Sequence, residues 1–263
     1  MTVHDILSIN AAGLEIFGRP WEDEARGFFL APDGFKGWDG APTVRREDVA
    51  RSGSHGSFDA RGTLDARLPV FTGICVSPSP AETLMLGERL TGLLADGGSG
   101  LISVQRHQRE QHSVGRLAGA TQFDVRGRTP RFADFQIQFW LPDPRKYGKR
   151  RVFTSAADGL WTSYHRGNFP AGSTVTVTGN APSYTVGGPD GKRFKVSAEL
   201  RPGEPHLINL STGQITIRGQ VKFGVVSVAD TWTVIPNTLV AHAIVADGGG
   251  TAKAEHAVED TYI

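Results

Sequence analysis

The chain has 263 residues, 39% of them hydrophobic and 21% charged, with a formal net charge of +1. That composition supports a packed core in one or two domains and argues against wholesale disorder. Near-neutrality excludes a global field drawing the molecule to nucleic acid or an anionic membrane, and a lone cysteine, Cys75, excludes an internal disulfide or a thiolate metal cluster.

Residues 1–50 read as short strands and turns. Asp5 and Glu15 bracket a short apolar stretch with no basic leader, so no secretory signal is expected and folding in a cytosol is. No run reaches the ~18 apolar residues of a membrane span. GLEIFG (13–18) has the character of a strand, whereas GFFLAPDGFKGWDG (27–40) is aromatic but crowded with turn formers. SGSHGSFD (52–59) is a small-residue loop. RLPVFTGICVS (67–77) alternates, placing Leu68, Val70, Thr72, Ile74 and Val76 on one face. Pro69 argues against a central position for its start, and Cys75 within it reads as a buried thiol.

One helix stands out over residues 80–96. Ser79 is its N-cap, Pro80 its first residue and Glu82 completes a capping box. Leu86, Leu90, Leu93 and Leu94 form an apolar stripe, and Gly97 is the expected stop. Strands resume at LISVQRH (101–107), near 113–118, at TQFDVRG (121–127) and at FQIQFWL (135–141), where Phe135, Ile137, Phe139 and Leu141 share a face. The first part of the chain is therefore mostly β, with one helix laid on a sheet.

After Val152 no helix is expected. Alternating segments recur at 173–179, 192–200, 206–219, 230–236, 239–248 and 250–263, and STG between HLINL and QITIRG reads as a hairpin turn. This pattern predicts a β-sandwich of about 110 residues.

The chemistry-bearing residues form no catalytic pattern. Of the eight histidines, His107 and His112 are five apart, off both helix and strand ligand spacing, while His242 and His256 alternate with apolar neighbours and read as satisfied core residues. No H-E-x-x-H, calcium loop or Cys/His cluster is present, nor a G-x-S-x-G elbow. The carboxylates of Glu22, Asp23 and Glu24, and of Glu259 and Asp260, are adjacent in sequence and read as solvated charge rather than a glycosidase pair. GGSG (97–100) and GGPDG (187–191) lack the phosphate-loop Lys-Ser/Thr and read as a helix stop and a hairpin turn. Asn209 heads a chance N-glycosylation tripeptide. Neither an enzyme activity, a cofactor nor a metal is expected. The sharpest charge is the run Arg145, Lys146, Lys149, Arg150 and Arg151; without a like-signed partner patch it reads as a solvated turn or protein contact rather than a nucleic-acid site.

The order of these segments resembles the distal tail proteins of long-tailed bacteriophages, the siphovirus-type minor tail proteins. The resemblance rests on the loop His55–Gly56, the strand from Arg67 to Gly73, the helix LMLGERLTGLL, DPRKYG, then Gly179, Asn180 and Pro182, LINLSTGQ, Ile235–Pro236 and the terminal DTYI. It implies a mainly β fold with two domains. Residues 1–148 would be a β-sandwich-like, ring-forming domain with one helix and a β-hairpin, and residues 149–263 a galectin-like or jelly-roll sandwich. It also implies a structural virion protein: a ring, six-fold in the family, joining the tail tube to the baseplate or tail tip. Its partners would be copies of itself, the tube protein, a tail-tip protein, and tape-measure or receptor-binding proteins.

On this view Pro142 and Pro144 end the ring domain's last strand. Asp143, Pro144, Arg145, Tyr147, Lys149, Arg150 and Arg151 then supply inter-domain or inter-subunit contacts, with Lys149 to Arg151 as solvated linker charges or contacts to a neighbouring subunit. Open strand edges at 13–18 and 101–118 would pair between subunits. The alternative is a carbohydrate-binding module for host cell-wall sugar, with Trp161, Tyr164, Tyr184 and Trp232 stacking on sugar rings.

Overall fold

The computed structural model describes residues 7–18 and 26–263; Asp5 and the Glu22–Asp23–Glu24 run lie outside them. The chain divides into two compact units between Lys146 and Tyr147.

In the first unit, β1 (Ser8–Ala11) and β2 (Leu14–Phe17) form a hairpin, and β2 runs parallel to β3 (Gly27–Lys36). A short pair, β4 (Val44–Arg45) and β5 (Thr63–Leu64), precedes β6 (Val70–Val76) and helix α1 (Pro80–Thr91). Then come β7 (Gly100–Arg106), β8 (Arg109–Leu117), β9 (Gln122–Val125) and β10 (Phe132–Trp140). Pairing runs β1–β2–β3–β6–β10–β8–β7 and returns to β1, a closed seven-strand barrel. The last strand makes closure possible. Along one side β10 pairs with β6; along the other it pairs with β9 at Ala133–Gln136 and with β8 at Phe139–Trp140.

Closure corrects two expectations. The unit is a barrel rather than sandwich-like, and residues 13–18 and 101–118 are not free edges: β7 pairs with β1 and β8, β8 with β7 and, at Arg116–Leu117, with β10, and β2 with β1 and, at Ile16–Phe17, with β3. A closed sheet leaves no ladder of free N–H and C=O groups along those strands.

The interior is apolar, built from Ile9, Leu14, Ile16, Phe28, Phe71, Ile102, Ile137 and Phe139 among others. In β10 the alternation is as the sequence indicates: Phe135, Ile137, Phe139 and Leu141 are buried, and Trp140 is exposed. In β6 the buried face is not the aliphatic one but Phe71, Gly73 and Cys75. Gly73 is required there, since a Cβ would lie 1.9 Å from the Phe29 carbonyl oxygen. Cys75 is a buried, inert thiol pushed up to about 11, first by burial and then by Glu82. The segment 27–40, read as turns, is largely strand: the Pro-Asp-Gly insertion makes a bulge between Leu30 and Phe35, and pairing with β6 resumes after it.

Helix α1 begins as its cap predicts, with Ser79 Oγ accepting from the Glu82 N–H at 3.3 Å. It ends earlier than expected, at Thr91 with Gly92 as C-cap. Leu93 and Leu94 continue the apolar stripe onto the core from turns instead, where Leu94 takes a positive φ of 52°.

The second unit opens with β11 (Lys146–Thr154), whose first residue belongs to the first unit, then β12 (Leu160–Ser163), β13 (Ser173–Asn180) and β14 (Tyr184–Gly187). It continues with β15 (Arg193–Val196), β16 (His206–Asn209), β17 (Gln214–Ile217) and β18 (Gln220–Lys222). The last strands are β19 (Val226–Ala229), β20 (Val240–Ala246) and β21 (Thr251–Tyr262). One sheet has the order β11-β21-β13-β16-β17-β18 and the other β12-β20-β14-β15-β19. Val175, Val177, Ile208 and Ile215 from the first share one core with Tyr184, Val186, Phe194 and Ile244 from the second. Each fully buried side chain of this size contributes roughly 1.5–3 kcal/mol. STG turns the β16–β17 hairpin, and the Asn209 side chain accepts from the N–H groups of Ser211 and Thr212 within it. Residues 230–236 are not a strand; Val234 alone makes an isolated bridge, to Ala171.

Candidate assembly site

Between β3 and β6 the chain leaves the barrel as an arm, residues 41–66. The pair β4–β5 and a bridge between Ala50 and Ser57 hold its two sides together. Nearly every residue from 41 to 63 is exposed, including the large apolar side chains of Val44 (59%), Val49 (57%) and Phe58 (60%). A two-stranded hairpin with no core of its own is marginal in water, and these apolar side chains have no core of the arm to enter. The loop of residues 52–59, with His55 and Gly56, is the tip of this arm.

The arm's root is buried and cationic. Gly37–Gly40 leads out and Arg67 leads back. The Arg67 guanidinium donates through Nη1 to the carbonyls of Gly37 (3.2 Å), Trp38 (2.8 Å) and Gly40, and through Nε to Pro144 (3.1 Å). Lys146 Nζ donates to the same Trp38 carbonyl at 2.8 Å and lies 5.9 Å from the Trp38 ring centre. Both cations are buried. Lys146 is pushed down to about 8, chiefly by burial and then by the neighbouring Arg67 charge. Beside them Asp39 forms a two-pronged ion pair with Arg106.

DPRKYG is this root's other wall. β10 ends at Trp140, and Leu141 exchanges both backbone hydrogen bonds with Arg67. Asp143 pairs with Arg145 through two 2.8 Å bonds, and the Arg145 carbonyl accepts from Ser113 Oγ. The basic run is thus not one surface patch: Lys146 is internal, Arg145 is paired, and Lys149 and Arg150 are exposed. Nor are Lys149 to Arg151 linker charges, since they lie on β11 with half-buried Tyr147 before them. Arg151 grips the buried Asp260 carboxylate (3.3 and 3.0 Å), which also accepts from the Arg166 N–H at 2.7 Å, and its guanidinium lies over Tyr164.

The four aromatics proposed for sugar stacking are elsewhere. Trp161, Tyr184 and Trp232 are buried in the second unit's core, and Tyr164 is half-buried between Phe153 and Arg151. The three buried rings have no face free for a sugar.

Trp161 and Trp232 instead enclose two histidines. His242 stacks on both, and His256 meets His242 edge to face with centres 4.7 Å apart. Trp161 Nε1 donates to His256 Nδ1 at 3.2 Å, and His242 Nε2 bonds Ser163 Oγ at 2.8 Å. Burial pushes His242 down to about 4; burial and then the His242 charge push His256 down to about 3. His107, with φ of 44°, sits in the two-residue β7–β8 turn. No group of three or more metal-ligating side chains occurs among the described residues. Nor, among those residues, is any helix long and apolar enough to cross a membrane.

The fold of this chain is similar to those of solved bacteriophage proteins. The chain is similar to the Dit protein (gp 19.1) of phage SPP1, described as a paradigm of the hub adsorption apparatus in phages infecting Gram-positive hosts. The TM-score is 0.72 at 14% identity, covering 98% of this chain and 100% of that one. It is also similar to a chain of the phage P2 baseplate in its activated conformation with Ca, with a TM-score of 0.50 at 10% identity over 97% of each chain. No family model matches the sequence, and no curated protein matches it.

Proposed function

We propose that this chain is a structural subunit of a long-tailed bacteriophage tail tip, a distal tail protein whose copies form a ring between the tail tube and the adsorption apparatus. The observation that carries this reading is the likeness to the SPP1 hub protein across essentially the full length of both chains. In the proposal the ring has six copies, the tube protein and a tail-tip protein bind its two faces, and tape-measure and receptor-binding proteins are further neighbours. The protein resides in the virion and works without catalysis.

Barrel closure bears on how copies would meet. Strand exchange along β2 or β7 is unavailable, so the contact falls to the arm and the barrel's outer faces. Each copy would use two different surfaces, the arrangement that closes a ring. The second unit is proposed as the galectin-like element, carrying adsorption components rather than sugar, because three of its four proposed stacking aromatics are buried. Native mass spectrometry of the purified chain, with negative-stain images, tests the reading. A six-copy ring is expected; a monomer at all concentrations overturns it. Binding of the isolated protein to cell-wall glycan would instead favour the sugar-binding alternative.

A further inference from the structure

We propose that the direction of the arm, and through it the ability of copies to join, is set by a buried two-cation clamp in which Arg67 and Lys146 hold the carbonyls of Gly37–Gly40. This rests on the arm being the contact between copies.

The arm cannot orient itself. Its outer residues are exposed, its two sides are tied by a few backbone bonds such as Phe58 N–H to the Val49 carbonyl and Asp65 N–H to that of Thr43, and it has no core. A hairpin of that kind keeps a fixed angle only if its two ends are immobilised where they leave the barrel. Both ends meet at the clamp. The outgoing end turns through Gly37, whose φ of 75° and whose approach to the Leu68 carbonyl, 2.3 Å from a would-be Cβ, admit no other residue without strain. The returning end is Arg67 itself.

The two N–H groups of one guanidinium nitrogen are shared among three carbonyls of the outgoing turn, and the same residue's backbone is bridged to Leu141. Lys146 reaches the turn from the opposite wall, so the Trp38 carbonyl is held by two cations at 2.8 Å each. The acceptors of these two side chains, on Gly37, Trp38, Gly40 and Pro144, are backbone carbonyls. The cations therefore read main-chain position rather than side-chain charge, as a hinge restraint must. The nearest acid, Asp39, is engaged by Arg106, which tethers the same turn a third time from β7.

A clamp of this design carries a cost that a merely structural contact would avoid. Two buried like charges sharing one acceptor repel, and an apolar residue at position 146 would spare the desolvation. That a lysine occupies the site fits a role in fixing geometry.

The test uses the full chain and three variants: Lys146→Met, which keeps the stem but removes the donor; Lys146→Gln, which restores one N–H donor; and Arg67→Lys, which reaches fewer carbonyls. The first readout is the rate of trypsin cleavage within the arm, at Arg45, Arg46, Arg51 and Arg61, on chains shown to be folded by circular dichroism. Lys146→Met and Arg67→Lys are expected to raise that rate at least tenfold, with Lys146→Gln close to the parent. The second readout is copy number by native mass spectrometry, where the cleavage-prone variants lose rings and Lys146→Gln keeps them. Unchanged arm cleavage in a folded Lys146→Met or Arg67→Lys chain overturns the clamp, as does a Lys146→Gln chain that behaves like Lys146→Met. A chain with residues 42–64 replaced by a short Gly-Ser turn separates the two claims. If it still forms rings, the arm is not the contact between copies, and the cleavage result then stands or falls alone.

Discussion

The buried histidine pair makes the second unit acid-labile in a calculable way. Above pH 6.5 both imidazoles are neutral whether the unit is folded or not, and they impose no penalty. As pH falls through 6.5 the unfolded chain takes up protons that the folded one refuses, because the folded values lie near 4 for His242 and near 3 for His256. Stability therefore declines from pH 6.5 downward and levels off only below the folded values. By pH 5 each histidine costs roughly 2 kcal/mol, and His242 alone reaches roughly 3 kcal/mol below pH 4 at about 1.4 kcal/mol per pK unit. Against the usual ~5–15 kcal/mol of a domain that is a large fraction. Urea unfolding at several pH values, followed by tryptophan fluorescence, measures it directly, since Trp161 and Trp232 contact the pair. His242→Gln, able to keep a bond to Ser163, should recover roughly 2 kcal/mol of the loss between pH 7 and pH 5, the remainder belonging to His256 and to His165 and His206, whose values burial also lowers. A midpoint that stays flat over that interval, or a slope untouched by the substitution, refutes the reasoning.

Three further outcomes follow from packing and capping. Leu90→Ala, at a site with no exposure beneath α1, should cost about 2–5 kcal/mol in the first unit, measured by thermal or urea unfolding. Ser79→Ala should cost about 1 kcal/mol through loss of the cap to Glu82, whereas Ser79→Asp should be close to neutral. Arg151→Met leaves the buried Asp260 carboxylate with the Arg166 N–H but no cation; a loss of roughly 3–5 kcal/mol is expected, and double substitution with Asp260→Asn should recover part of it.

Some elements could be read from the residues because their local signals and tertiary roles coincide. The Ser79-Pro80-Glu82 start of α1 is one, the alternation of β10 another, and the STG hairpin a third. Elsewhere tertiary packing used residues that carry no hydropathy signal. The core face of β6 contains Gly73, chosen for a close strand approach, so the aliphatic face looked better than the true one. Pro-Asp-Gly in β3 spelled a turn but formed a bulge that two flanking strand segments bridge. The stripe of α1 ran on past Gly92 because Leu93 and Leu94 reach the core from turns. The site was harder still. Lys146 sits in a run of cations and nothing local marks it as internal; its burial follows from the Trp38 carbonyl, 108 positions away in sequence. Barrel closure was likewise invisible, because it depends on β10 pairing with different strands along its length. The buried aromatics of the second unit looked like sugar platforms for the complementary reason: their composition fits a binding face as well as a core.

The central claim is that copies of this chain join through the arm around a closed barrel. A cryo-EM map of the purified assembly tests it most directly. The account predicts a closed ring in which residues 41–66 of each copy lie against the barrel of the next, with Val44, Val49 and Phe58 covered. Rings whose arms point into solvent, or particles containing only single copies, would contradict it.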